Sequence, residues 1–324
     1  MAALSLDLFA SRESRLPRVI PAGAVRAVDL FAGWGGFTTG AEQAGVSVVW
    51  AANHWRVAVD THAANHPDVE HVCQDLRQAD WTALPRYDLL LASPACQAHS
   101  TASQPCRRPY HDAMRATAWA VVDCADATNP KAVVVENVPS FREWRLYPQW
   151  RESLRALGYQ ISENIVRAST LGVPQRRDRL FIVATRKQFR LELSELPEPP
   201  FAPCIEQGAG GWRPVASCKQ PGARARLEAA RARFSRSLVQ HVTGHRGISL
   251  DEPIRTITTK DQWVIVEGDS YRPLTGREYA RGMGFPESYR WDHRQPRATV
   301  IKGLGNAVCP PVAKAVVERV ADAA

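Results

Sequence analysis

The chain has no pair of cysteines in C-x-x-C spacing. Its seven cysteines, at positions 73, 96, 106, 124, 204, 218 and 309, are odd in number and scattered over 324 residues. That pattern argues against a disulfide framework and a zinc site, and it predicts reduced thiols and no bound metal. No continuous apolar run is long enough to cross a bilayer. Residues 1–19 hold two acids and three arginines and lack an apolar core, so they do not read as a signal peptide. A cytoplasmic protein with no membrane attachment is expected. Acids are few between Lys219 and Arg236, where Glu228 alone stands against Lys219, Arg224, Arg226, Arg231, Arg233 and Arg236. A solvated helix face normally mixes its signs, so this stretch reads as a phosphate-binding surface. The net charge of +8 points the same way, toward a polyanionic partner.

What is present is a series of apolar runs alternating with helical segments from residue 25 to about 185. VRAVDL runs into the glycine loop FAGWGG and a short helix that Gly45 can cap. VSVVWAAN precedes a helix over 55–66. YDLLLASPACQAHS (87–100) is a buried strand ending in a Ser-Pro turn, with Cys96 just beyond it. KAVVVENV (131–138) is a second such strand and ends in Glu136-Asn137. GVPQRRDR (172–179) places three arginines within four residues before the strand LFIVAT. Strand-helix alternation of this kind predicts an α/β fold, a doubly wound and mostly parallel sheet. From Lys187 to about Leu250 prolines and glycines crowd in and the periodicity fades, which marks a smaller inserted domain. PIRTITT (253–259) and QWVIVEG (262–268) read as strands that begin the return to the core. Thr275 and Glu278 form a capping box, and Pro310-Pro311 open a C-terminal helix. The expected division is an arm at 1–24, a catalytic domain at 25–186, a small domain at 187–252, and a return segment at 253–324.

In open α/β sheets, ligands bind beyond the carboxyl ends of the strands. Cys96, Glu136 and the arginine cluster all fall at such ends or in adjoining loops, beside a glycine loop suited to a nucleotide. A carboxylate at the end of a hydrophobic strand is costly to bury unless it is paired or does chemistry. His54 stands where adenosine-binding folds place an acid for the ribose hydroxyls. Asp75 reads either as an acceptor for an adenine amino group or as a helix N-cap.

The ordered motifs resemble those of the DNA (cytosine-5) methyltransferases over about residues 28–316. DLFAGWGGF resembles the S-adenosylmethionine loop, SPACQAHS the Pro-Cys-Gln loop, VVVENV the Glu-Asn-Val motif and VPQRRDRLFIVATR the Gln-x-Arg-x-Arg motif, while RPLTGREYARGMGFP and GLGNAV match two closing motifs. The resemblance implies a Rossmann-like methyltransferase fold with a smaller target-recognition domain. It implies transfer of a methyl group from S-adenosylmethionine to carbon 5 of a cytosine flipped out of double-stranded DNA, with Cys96 as nucleophile on carbon 6. Glu136 would act at N3, Arg179 at O2, and Arg177 would support the pocket or the thiolate. Phe31, Ala32, Gly33, Trp34, Gly35, Gly36, Asn53, His54, Trp55, Asp75, Leu76, Pro94, Asn306, Ala307 and Val308 would hold the cofactor. Gln97, His99, Ser100, Arg107, Arg108 and Gln175 would meet DNA near the target, with Arg224, Arg226, Arg231 and Arg233 on its backbone. A monomer is expected, and whether a cognate restriction nuclease is a partner stays open. Ala95 replaces the family's usual second proline, and His99 stands where an aromatic is common. The alternatives are the same chemistry on transfer RNA or with a modified cofactor, and a catalytically silent DNA-binding scaffold. The Cys-Phe-Thr triplet of the transfer RNA enzymes is absent.

Overall fold

The computed structural model describes residues 23–95, 117–242 and 244–323. Its larger sheet is built from β1 (Arg26–Leu30), β2 (Ser47–Asn53), β3 (Glu70–Cys73), β4 (Leu89–Ala92), β5 (Ala132–Asn137) and β6 (Gln160–Arg167). After a two-residue β7 (Gln175–Arg176), β8 (Asp178–Thr185) completes it. The order is β3-β2-β1-β4-β5-β8-β6. The pairs among β1 to β5 are parallel, and β8 runs antiparallel between β5 and β6. The order reverses between β1 and β4, which leaves a crevice beyond their carboxyl ends.

Strands β4 and β5 are buried at every residue, because helices cover both faces of the sheet. Side chains of α1 (Gly36–Gln43) share one core with β1 and β4, and α2 (Arg56–Asn65) stands beside β2 and β3. The opposite core holds Val121 and Cys124 of α3 (Trp119–Thr128) with Trp150 and Leu154 of α4 (Tyr147–Ala156). Gly45 and Gly158 both take positive φ just past helix ends, at 80° and 88°, where a side chain would be strained.

The second sheet differs from the sequence expectation in its extent. It comprises β9 (Arg213–Pro214), β10 (Arg236–Gln240), β11 (Ile248–Ser249), β13 (Trp263–Glu267) and β14 (Ser270–Pro273), in the order β11-β10-β13-β14-β9; the intervening β12 (Ile254–Arg255) pairs instead with β7. Residues 263–273 therefore complete the small sheet, whereas their sequence suggested a return to the core after 252. The physical reason is that β13 is buried on both faces. Trp263 and Ile265 face the main core, while Val264 and Val266 pack with Leu227 and Ala230 of α5 (Pro221–Arg231). The chain then passes through α6 (Gly276–Gly282), α7 (Arg297–Asn306) and α8 (Pro310–Ala321). Both halves of the Thr275–Glu278 capping box form.

Residues 297–321 hold the last two helices of the described chain. By length and composition they would reach across a bilayer, at a mean hydropathy of 1.2, but 72% of the apolar window is buried in the fold. They are the two helices α7 and α8, packed against the main core through Ile301, Leu304, Val312, Val316 and Val317.

Candidate active site

A cavity of about 210 Å³ opens at the carboxyl ends of β1, β2, β4 and β5. Phe31, Ala32, Gly33 and Trp34 line it from the glycine loop. Asn53, His54 and Trp55 line it from the tip of β2, and Asn306, Ala307 and Val308 from the end of α7 and the residues after it. Ser93, Pro94, Ala95 and Glu136 close the remaining wall. Gly36 explains why the first and last groups can meet: a Cβ there would fall 2.0 Å from the Val308 carbonyl oxygen. The Trp34 indole likewise fills the space that a side chain at 303 would need, since a Cβ on Gly303 would lie 2.1 Å from Trp34 Cε2.

Glu136 is 6% exposed, and Arg179 Nε stands 3.0 Å from its Oε1. Desolvation raises the Glu136 carboxyl above its ordinary value, against the opposing pull of Arg179 and Arg177. Burial that favours the protonated carboxyl suits it to donate a proton, as a solvated surface glutamate is not. Arg177 has another task. It is 2% exposed, and its guanidinium donates to the carbonyls of Ile257, Gly305 and Ala307 at 2.8, 2.9 and 3.1 Å. It thus fixes the segment that carries Asn306 to the segment before β13.

Gln175 corrects the sequence reading. It is fully buried, its amide nitrogen 3.0 Å from Gly282 O and 3.1 Å from Met283 Sδ, while its Oε1 accepts from Ile257 N at 2.7 Å. With both ends of the amide engaged inside the protein, it ties β7 to α6 and has no surface to offer DNA. Asp75 caps a short turn, and both its oxygens accept from Arg77. Its neighbour Leu76 is 3% exposed and packs in the core. Neither lines the cavity.

Among the basic residues of the small sheet, Arg224 pairs with Glu228 at 2.9 Å and Arg231 pairs with Asp269. The Arg233 guanidinium lies 5.0 Å from the Phe234 ring centroid, and Arg226 is half-buried. Cys96, Gln97, His99, Ser100, Arg107 and Arg108 lie outside the described residues. Sequence reasoning missed Lys302, whose Nζ stands 4.7 Å from the Trp55 ring centroid in the cavity wall. Its place inside IKGLGNAV was the available signal. Also missed was the polar layer beneath the glycine loop, formed by Asp29, His62, His66, His71 and Tyr289, although the i, i+4 spacing of His62 and His66 on one helix was visible.

A family model described as C-5 cytosine-specific DNA methylase matches residues 25–207 and 219–322. The Type II methyltransferase M.NlaX of Neisseria lactamica is 26% identical over 315 residues, spanning 90% of this chain and 95% of its own length. The Type II methyltransferase M.HpaII of Haemophilus parainfluenzae is 28% identical over 314 residues, spanning 89% and 87%. Among solved structures, the S. pombe Dnmt2 methyltransferase superposes with a TM-score of 0.68 at 18% identity, covering 93% of this chain and 99% of its own. That last likeness is one of fold.

Proposed function

Because this chain belongs to the C-5 cytosine-specific DNA methylase family, we propose that it methylates carbon 5 of an extruded cytosine in duplex DNA, using S-adenosylmethionine as donor and Cys96 as a transient nucleophile. The observation that carries this reading is the buried Glu136 in the wall of the glycine-loop cavity, paired with the part-buried Arg179. Pro94 and Ala95, the residues leading to Cys96, line that same cavity.

The residues present fit the cofactor. The glycine loop brings backbone close to a bound ligand, Phe31 and Trp55 offer aromatic faces, and Asn53 and Asn306 offer polar side chains. When bound, S-adenosylmethionine supplies an electrophilic methyl group. The protein's part is to make carbon 5 of the base nucleophilic. The Cys96 thiolate adds to carbon 6, and the displaced electron pair moves toward carbon 5 and N3. Glu136 meets that charge with a proton at N3, and Arg179 holds O2 of the ring. After methylation, loss of the carbon-5 proton to water lets the C–S bond break and returns the thiolate, and the N3 proton goes back to Glu136. A stacked cytosine hides carbon 6, so extrusion costs a few kcal/mol, which contacts made by residues 97–109 would offset. The small sheet with α5 would read the flanking bases, and Arg224, Arg226, Arg231 and Arg233 would hold phosphates.

The test uses duplexes carrying 5-fluorocytosine, in which fluorine replaces the carbon-5 proton and cannot be abstracted by a base. With S-adenosylmethionine and a mixed-sequence panel, a covalent protein–DNA adduct is expected for the wild type and none for Cys96→Ser. Absence of any adduct across the panel overturns the mechanism.

A further inference from the structure

Directly beneath the glycine loop lies a line of three hydrogen bonds unrelated to the methyl-transfer residues. Thr38 Oγ1 is 2.8 Å from Asp29 Oδ2, His62 Nε2 is 3.0 Å from Thr38 Oγ1, and His62 Nδ1 is 2.7 Å from His71 Nε2. Asp29 and Thr38 are wholly buried and His62 is 1% exposed, while His71 on β3 is only half-buried. The line therefore runs from a sealed carboxyl toward the surface.

A branch supports the loop itself. Thr39 Oγ1 donates to Gly35 O at 2.7 Å, and His66 Nε2 stands 3.2 Å from Thr39 Oγ1 while its Nδ1 meets Glu42 Oε2 at 2.8 Å. Tyr289 donates to the Trp34 carbonyl. Gly35 rests on this layer: a Cβ there would lie 2.8 Å from Tyr289 Oη, 3.0 Å from His62 Cδ2 and 3.0 Å from His66 Nε2.

Each member of the line can both give and take a proton, so two arrangements exist. In one, Asp29 is a carboxylate accepting from Thr38, His62 Nε2 donates to the Thr38 hydroxyl, and His71 Nε2 donates to His62 Nδ1. In the other every role is reversed: Asp29 carries a proton and donates to Thr38, which donates to His62 Nε2, and His62 Nδ1 donates to His71. With both rings neutral, three protons each crossing one hydrogen bond and one proton exchanged with solvent at the His71 ring interconvert them, so the second arrangement holds one proton more than the first and no heavy-atom bond is made or broken. We propose that this line is a proton relay linking the surface at His71 to the charge beneath the glycine loop, and that it thereby sets the affinity for the cationic cofactor. The inference rests on the reading that the cavity takes S-adenosylmethionine.

The groups facing Asp29 and the line are Glu42 on α1, His62 on α2 and His66 just past its end, His71 on β3, and Tyr289 after α6. Burial raises the Asp29 carboxyl to about 7, against the lowering effect of its Thr38 bonds. Burial, with the charge of His66 and, for His62, that of His71, lowers the rings of His62 and His71, the latter to about 4. Near neutrality the line thus exchanges one proton with solvent, and its loss leaves a carboxylate under the loop. S-adenosylmethionine carries a net positive charge, whereas S-adenosylhomocysteine, which lacks the sulfonium, is net neutral. Affinity for the first should rise through neutral pH, and affinity for the second should change little.

Calorimetric titration of both ligands tests this. From about pH 6 to about pH 8 the wild type is expected to bind S-adenosylmethionine about fivefold more tightly, with less than about a twofold change for S-adenosylhomocysteine. Thr38→Val, which keeps the shape and cuts the line, should lose that step, and Thr38→Ser should retain it. Glu136 also faces the cavity, but both variants leave it in place. Independently of any ligand, and should Thr38→Val fail to fold, nitrogen-15 spectra of wild-type histidines should show His62 and His71 changing together with one midpoint. Equal pH steps for the two ligands, an unaltered step in Thr38→Val, or separate histidine midpoints would overturn the relay. Failure of both ligands to bind at any pH, alongside a shared midpoint, would instead overturn the cofactor reading.

Discussion

Arg179 meets Glu136 across two antiparallel neighbours, Nε to Oε1 at 3.0 Å, at the end of the sheet where β5 and β8 part. The pairing leaves desolvation dominant, so the Glu136 carboxyl stays above its ordinary value. A general acid with a raised value works while it is protonated. Turnover should therefore fall on the alkaline side as Glu136 loses its proton. Glu136→Gln should cut kcat by about a hundredfold or more and remove that limb, with cofactor affinity little changed. Single-turnover rates against pH are the measurement, and an unchanged alkaline limb in the variant would count against the assignment.

Arg177 predicts a different signature. Its three carbonyl acceptors come from two chain segments far apart in sequence. Arg177→Ala leaves those carbonyls buried without donors and should cost about 3 kcal/mol in urea unfolding. Arg177→Lys keeps the charge but not the planar fork, and should recover only part of that loss.

Trp34 and Gly303 are expected to behave as one unit. Gly303→Ala drives a methyl group into the indole and should displace the cavity wall, weakening cofactor binding about tenfold by calorimetry. Adding Trp34→Leu should return most of the affinity, and the double-mutant cycle should give a coupling of about 1 kcal/mol or more.

Asp29 carries a stability prediction whose sign follows from its raised value of about 7. Its neutral form fits the folded state, so its contribution is fully present below the unfolded value of about 4. It is lost progressively as pH rises toward about 7, and is constant beyond. Asp29→Asn, neutral throughout, should flatten that part of the pH–stability curve, gaining up to a few kcal/mol over wild type at about pH 8. Chemical denaturation at several pH values reads this directly.

On the small sheet, replacing Arg224, Arg226, Arg231 and Arg233 by glutamine should reduce the slope of log affinity against log salt by roughly three to four for nonspecific duplex DNA. Arg224 is already neutralised by Glu228. Glu228→Gln should therefore strengthen binding at low salt, because an exposed pair worth about 0–1 kcal/mol no longer competes with phosphate.

The parts of this molecule written in short stretches of chain were legible. The glycine loop, the buried runs of β4 and β5, the capping box at Thr275 and the placement of Glu136 at a strand end all follow from local pattern. What depends on distant partners was not. Gln175 reads as a polar residue in an arginine-rich loop, and only its bonds to residues 257, 282 and 283 show it to be internal. The apolar run at 263–267 likewise does not say which sheet it joins. The meeting of His71 with His62 and His66 also depends on β3 packing beside α2.

The two-faced strand β13 has a practical consequence for engineering. Because Trp263 and Ile265 pack into one core and Val264 and Val266 into the other, the lobe built on the small sheet is not a detachable cassette. A graft of another lobe at residues 187–252 would split its sheet between donor and host, whereas one cut after Pro273 carries all five strands but must reproduce the two side chains that plug the host.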